Sequence, residues 1–267
     1  MQRVILETPY AGKDWAEIKK NERYARLCMR DCLQRGEAPY ASYLLYTQAN
    51  VLRDDIPEER KLGMQAGFAW RQAAQATAVY TNLGISDGMK KGIEDADQRG
   101  CPVEYRTIEY PPQINTVYLA GPMEFAEEAG LRWREEYAEI LQDEFGIKSI
   151  IPNNEERDII PSQEEFIKLK ERDTYEYIRL MTQLRDMDLR FVQQVDAVIC
   201  RYAGEKMAGT IGEAQHATFH ATPFYLIHKV PIKDIPGWFL SCCTDLYPSF
   251  SCFLIDLADL KYGKKTT

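Results

Sequence analysis

Residues 196–227 read DAVICRYAGEKMAGTIGEAQHATFHATPFYLI. An apolar run at 196–201 opens into a glycine-containing turn, a helical tract follows, and Pro223 introduces a second apolar run at 224–227. Residues 76–106, ATAVYTNLGISDGMKKGIEDADQRGCPVEYR, repeat the plan with runs at 76–81 and 103–106. The register is the same: Gly88 to Pro102 and Gly209 to Pro223 each span 14 positions. Buried strand, helix, buried strand is the building unit of a parallel sheet, because parallel neighbours need a long crossover.

The repeat extends outward. Residues 3–6 form a short apolar run ahead of Pro9-Tyr10-Ala11-Gly12, and residues 117–120 form another ahead of Gly121-Pro122-Met123. A striped helix follows each. Tyr24, Ala25, Cys28, Met29, Cys32 and Leu33 draw the first stripe, and Trp133, Tyr137, Ile140 and Leu141 the second. Gly36 and Gly146 are placed to stop these helices. Second strands are expected at 41–47 and 149–151, then helical tracts at about 58–75 and 164–194. The chain therefore reads as two tandem flavodoxin-like, doubly wound α/β domains related by duplication. Glu109-Tyr110-Pro111-Pro112-Gln113 is a stiff hinge between domains at 1–110 and 111–267. From about residue 228 the pattern breaks, and a C-terminal extension with an apolar helix near 253–260 is expected to pack back on the second domain.

The formal charge of the 267 residues is −8, and the basic clusters are only pairs, so a phosphate-tracking nucleic-acid surface is not expected. No apolar stretch is long enough to span a membrane, and no signal peptide is visible. Seven cysteines without a CxxC spacing read as reduced thiols of a cytoplasmic protein.

Open α/β sheets bind ligands beyond the carboxyl ends of their strands. In the second half those ends carry Gly121, Pro122 and Met123, then Asn153, then the turn leading to Gly209 and Thr210. Glu213 is expected in the first turn of the following helix, where the dipole favours an ionised carboxylate. Two plainer readings stand beside this one. Thr210-x-x-Glu213 is also a capping-box pattern, and Glu213, His216 and His220 lie along one helix face. With three histidines in all and no third cluster of ligands, no metal or cofactor is expected.

Segment 117–227 resembles the nucleoside 2-deoxyribosyltransferase family. The residues that carry the resemblance are Tyr118-Leu119-Ala120-Gly121-Pro122-Met123, Arg185-Asp186-Met187-Asp188-Leu189, Val195-Asp196-Ala197-Val198 and Gly209-Thr210-Ile211-Gly212-Glu213-Ala214. The resemblance implies a catalytic pair: Glu213 attacks the sugar's anomeric carbon, and Asp188 holds and protonates the base. The plain reading of Asp188 is a solvated helix residue. The implied substrate is a small-molecule nucleoside or nucleotide, cleaved or transferred at its N-glycosidic bond. Relatives acting on 5′-monophosphates tend to carry a serine where this chain has Met207. An NAD glycohydrolase and a non-catalytic nucleotide sensor are the competing functions.

The first half resembles the same superfamily more weakly. At the shared offset, Gly92 stands where Glu213 stands in the second half, so the first half lacks the nucleophile. Its Ser86-Asp87-Gly88 reads as a helix cap or a ligand turn. Family members complete their sites across subunits. The two halves are accordingly expected to form an internal pseudo-dimer, with 40–46 as the first half's contribution and room for further homo-oligomerisation.

Overall fold

A computed structural model describes residues 1–123, 130–155, 159 and 163–262. The chain forms two compact units, Met1–Pro111 and Pro112–Thr267. Each is a doubly wound α/β unit on an all-parallel sheet.

The first unit runs β1 (Gln2–Glu7), α1 (Trp15–Gln34), β2 (Glu37–Tyr40), α2 (Ser42–Tyr46), α3 (Pro57–Trp70), β3 (Ala76–Tyr80), α4 (Asp87–Gln98) and β4 (Val103–Arg106). Its sheet order is β2-β1-β3-β4. Every residue of β3 is buried, as expected of a central strand covered on both faces. Val4 and Leu6 pack against Tyr24, Cys28 and Cys32 of α1, so the expected stripe is the core-facing side of that helix.

The second strand corrects the expectation of a strand at 41–47. The strand is β2 at Glu37–Tyr40, and the aromatic run after it coils into α2. Aromatic-rich composition resembles a strand, whereas the true strand starts on a charged residue and contains a proline. Glu37 is tolerated in the sheet because Arg106 of β4 grips both its oxygens at 2.7 Å.

The second unit runs β5 (Thr116–Ala120), α5 (Leu131–Phe145), β6 (Lys148–Ile150), α6 (Pro152–Glu155), α7 (Gln163–Arg172), α8 (Thr174–Gln194), β7 (Ala197–Tyr202), α9 (Ala208–His220), β8 (Phe224–His228), α10 (Gly237–Leu240), β9 (Asp245–Tyr247) and α11 (Phe250–Tyr262). The long helical tract breaks at Asp173, whose side chain caps α8 by accepting from the Glu176 backbone N–H at 3.0 Å. The sheet order, β6-β5-β7-β8-β9, is that of the first unit with one more strand. That strand, β9, was not expected, because three residues are too few to show periodicity. The extension joins the core: Phe250 lies flat on Tyr137 with ring centroids 3.6 Å apart, and Phe253 and Leu257 share the cluster.

Residues of β5 and β7 alternate between two apolar layers, as the two-residue strand period demands. Val117, Leu119, Ala197 and Ile199 join the layer of α5 and α11. Tyr118, Ala120, Val198 and Cys200 join the opposite layer, with Val192 of α8 and Ala214 and Ala217 of α9. The start of β5 is pinned by Asp196, whose Oδ2 accepts from the backbone N–H groups of Asn115 and Thr116 at 2.9 Å and from the Thr116 hydroxyl at 3.0 Å. This clamp sets the entry of β5 beside β7. Replacing Asp196 with Ala leaves two backbone donors without their acceptor and is expected to lower stability by about 1–3 kcal/mol. Urea denaturation checks it; an unchanged midpoint removes the clamp from the account.

Candidate active site

Tyr118 is the centre of the candidate site. The strand alternation turns its ring into the layer of α8 and α9, where it lies nearly parallel to Phe191 at 6.5 Å. Its hydroxyl donates to Glu213 Oε1 at 2.8 Å. Asp188 approaches the same hydroxyl from α8, one turn before Phe191, while the single phenolic proton goes to Glu213. Two helices on one sheet face thus bring one carboxyl each to one phenol, and the sequence-assigned pair Glu213 and Asp188 is assembled.

Each carboxyl is poorly hydrated. Both residues are only half-buried as whole side chains, yet Glu213 Oε2 and Asp188 Oδ1 are shut off from water and have no hydrogen-bond partner. Burial pushes the Glu213 carboxyl up to about 7, and the neighbouring charge of Asp188 adds to the rise. Burial likewise raises Asp188 to about 6, against the opposing effects of the Tyr118 hydroxyl and the Arg134 guanidinium. The phenol itself is held protonated by burial and by the two carboxyls.

Two sequence expectations about Glu213 need correction. α9 begins at Ala208, with Met207 at its N-cap, so Glu213 is the sixth helical residue rather than a first-turn residue. Thr210 is therefore inside the helix, and the capping-box reading fails. Nor does the helix dipole keep Glu213 ionised, because its effect fades within the first turn while desolvation acts in full on the buried carboxyl. The plain reading of Asp188 as a solvated residue also fails, on the seclusion of its Oδ1.

Arg134 of α5 is the second residue that sequence reasoning passed over. It is fully buried and ties together the end of β5. Its Nε donates to the Leu119 carbonyl at 2.9 Å, Nη2 to that of Gly121 at 2.7 Å, and Nη1 to that of Gly130 at 2.9 Å. The guanidinium also lies 4.6 Å from the Trp133 ring centroid and lowers the proton affinity of both carboxyls. Gly121 permits this packing: a Cβ there would lie 2.9 Å from the Trp133 ring.

The expected binding residues occupy the carboxyl edge of the sheet. Gly121 and Pro122 are buried directly after β5, and Met123 is half-buried. Asn153 lies on α6 with its Oδ1 buried. Gly209 is exposed near the start of α9, and Thr210 is buried beside it. Of these residues, Glu213 and Asp188 lie near one side chain, that of Tyr118. The rings of His216 and His220 pack at a tilt with centroids 4.5 Å apart on α9, and burial lowers the proton affinity of His216. Among the described residues, no group of three or more His, Cys, Asp or Glu is arranged to hold a metal. Among those same residues, no helix is long and apolar enough to cross a membrane.

Residues 2–106 match the model of a domain of unknown function, DUF7768. No curated protein matches the chain. Among solved structures, a 2-deoxyribosyltransferase from the psychrotolerant bacterium Bacillus psychrosaccharolyticus is similar, with 17% identity and a TM-score of 0.40. That likeness covers 52% of this chain and 89% of the other.

The buried carboxyl has a consequence for stability. A folded-state value near 7 lies above the ordinary 4.5, so the unfolded chain releases this proton first as pH rises. The stabilisation contributed by protonated Glu213 is complete below about 4.5 and is lost as pH climbs through 7. Glu213→Gln, which cannot ionise, should therefore gain on the wild type by about 3 kcal/mol between pH 4.5 and 8. Chemical denaturation of both proteins at the two pH values checks this. A difference that is the same at both contradicts it.

Proposed function

We propose that the second unit cleaves or transfers at the N-glycosidic bond of a (deoxy)nucleoside or nucleotide, with Glu213 as nucleophile and Asp188 as acid. The observation that carries the reading is the pair of secluded carboxyls gathered near the Tyr118 hydroxyl, which is hydrogen-bonded to Glu213, on the carboxyl edge of a parallel sheet. The sequence resemblance to nucleoside 2-deoxyribosyltransferases supports the same roles for the same two residues.

The hydrogen bond from Tyr118 engages Oε1 of Glu213, and Oε2, covered in this structure, is assigned as the attacking atom once substrate binding uncovers it. Oε2 forms a bond to the anomeric carbon while the bond to the base nitrogen breaks, and the base leaves with that electron pair. Asp188 supplies the proton that the departing nitrogen takes up. A second base or a water then attacks the same carbon, displaces Glu213 and returns the proton to Asp188. Cleavage builds positive charge on the sugar, and the adjacent carboxylate stabilises it, the logic of retaining glycoside chemistry. Arg134 holds the loop end at Gly121 in place, so Gly121, Pro122 and Met123 form a fixed wall for the substrate. Asn153 and Gly209-Thr210 in the first turn of α9 are assigned to substrate contacts on their position at the same edge.

The productive state carries one proton on the pair, located on Asp188; it is the minor of the two singly protonated forms, because Glu213 holds a proton more tightly than Asp188. With values near 6 and 7, the pair holds a single proton most often between those limits. The pH–rate profile is therefore expected to be a bell with its maximum between pH 6 and 7. Incubation with nucleosides, deoxynucleotides and NAD, with free base read by chromatography, tests the activity. Glu213→Ala should lose at least about 100-fold in base release, and Asp188→Asn should flatten the alkaline limb. Full turnover by folded Glu213→Ala, or binding of every candidate without any base release, would falsify the proposal.

A further inference from the structure

The first unit lacks a carboxylate at the position equivalent to Glu213, and the structure supplies one by another route. The ladders fix the equivalence: Val4 pairs Ala76 as Val117 pairs Ala197, and Thr77 pairs Val103 as Val198 pairs Phe224. Gly92 then corresponds to Glu213, and Glu7, at the end of β1, to Ala120. A Cβ placed on Gly92 would lie 2.1 Å from Glu7 Oε1 and 2.5 Å from its carboxyl carbon. The Glu7 carboxylate occupies the space that a side chain at 92 would need. The acid has moved from the helix to the strand while staying in the same layer of the unit.

This carboxylate faces a cavity of about 360 Å³ that lies wholly within the first unit. The volume falls within the range of small-molecule sites. Tyr10, Tyr43, Tyr46 and Phe68 give the cavity aromatic walls, and Met64 contributes to the apolar lining. α2 supplies two of the tyrosines, so the segment misread as a strand is a wall of this cavity. Gly67 lets α3 approach α2 closely, since a Cβ there would lie 2.6 Å from Ser42 Oγ.

Charge selects among ligands. Three arginines line the cavity, and each already has a carboxylate: Arg53 with Asp55 at 2.7 Å, Arg60 with Asp54 at 2.8 Å, and Arg71 with Glu7 at 2.8 Å and Asp95 at 2.9 Å. A phosphate would meet guanidiniums whose charge is already neutralised by carboxylates, and would gain less from them than from unpaired cations. A flat ring with N–H donors does not depend on them, because it can stack on the aromatic walls and donate to Glu7.

We propose that the first unit is a second ligand site, in which Glu7 recognises the N–H edge of an uncharged heteroaromatic ring of nucleoside size. The site is separate from the chemistry assigned to Glu213, and its test is binding. The full chain carrying Glu213→Ala, which removes turnover, is titrated calorimetrically with adenosine, guanosine and cytidine, and with their 5′-monophosphates. Met64→Trp, which fills the cavity, is expected to remove one binding site per chain. At pH 8, where the carboxyl is ionised, Glu7→Gln should weaken binding at that site about tenfold or more, through loss of a charged acceptor. The monophosphates should bind there no more tightly than the nucleosides. Should Glu7→Gln not fold, Met64→Trp decides alone. An unchanged number of sites in folded Met64→Trp overturns the proposal. So does the absence of binding by all three nucleosides at millimolar concentration, or a tenfold preference for monophosphates.

Discussion

A carboxyl group inside the layer between a parallel sheet and its helices must either find a partner or keep its proton. Both units are organised around that constraint. Water is excluded from the region by the strands' own packing, because a central parallel strand is covered on both faces. The desolvation that follows outweighs the favourable field of any nearby helix start, as the elevated value at Glu213 illustrates. Carboxyls here are therefore tuned in their proton affinity and are not held as permanent charges.

The units meet the constraint differently on one topology. In the second, a neutral phenol donates to one of two neighbouring carboxyls, and the buried cation Arg134 donates to backbone carbonyls at the strand end. Such an arrangement leaves the carboxyls only partly compensated, which suits groups that must change protonation state. In the first, Glu7 has a direct guanidinium partner in Arg71, itself shared with Asp95 and the Thr77 hydroxyl. Even so, burial raises Glu7 to about 7, because the desolvation is larger than the effect of Arg71. Pairing alone does not restore an ordinary carboxylate at this depth.

The fold was legible because its signal is repeated and local. Pro102 and Pro223, each 14 positions beyond a turn glycine, mark the fourth strands β4 and β8, and the stripe at Tyr24, Cys28 and Cys32 is the buried face of α1. Short strands escaped this reading: β9 has three residues, and β2 begins with Glu37, whose compatibility with a sheet depends on Arg106, some seventy residues away. The carboxyl pair of the candidate site was visible as motif residues, but its electrostatics were not. Whether Glu213 is ionised depends on Tyr118, Asp188 and Arg134, contributed by three other elements. Tyr118 did leave a trace, as the lone hydroxyl-bearing ring within a buried apolar strand, and Arg134 another, as a charge beside the Trp133 stripe.

Positions 7 and 92 show how two units of one topology place a carboxyl in the same layer from different elements. A helix position facing the sheet and the last position of the adjacent strand compete for one volume, since their side chains approach from opposite directions. A glutamate on the helix requires a small residue on the strand, and Ala120 fills that role beside Glu213. A glutamate on the strand requires that the helix yield, and Gly92 does so beside Glu7. Restoring a side chain at 92 alone would drive it into the carboxylate, and shortening residue 7 alone would leave a void and strip Arg71 of a partner. The two arrangements are thus separated by a pair of coupled changes, each costly without the other. That coupling keeps each unit in its own arrangement, and it makes the loss of a motif glutamate a poor guide to the loss of an acid.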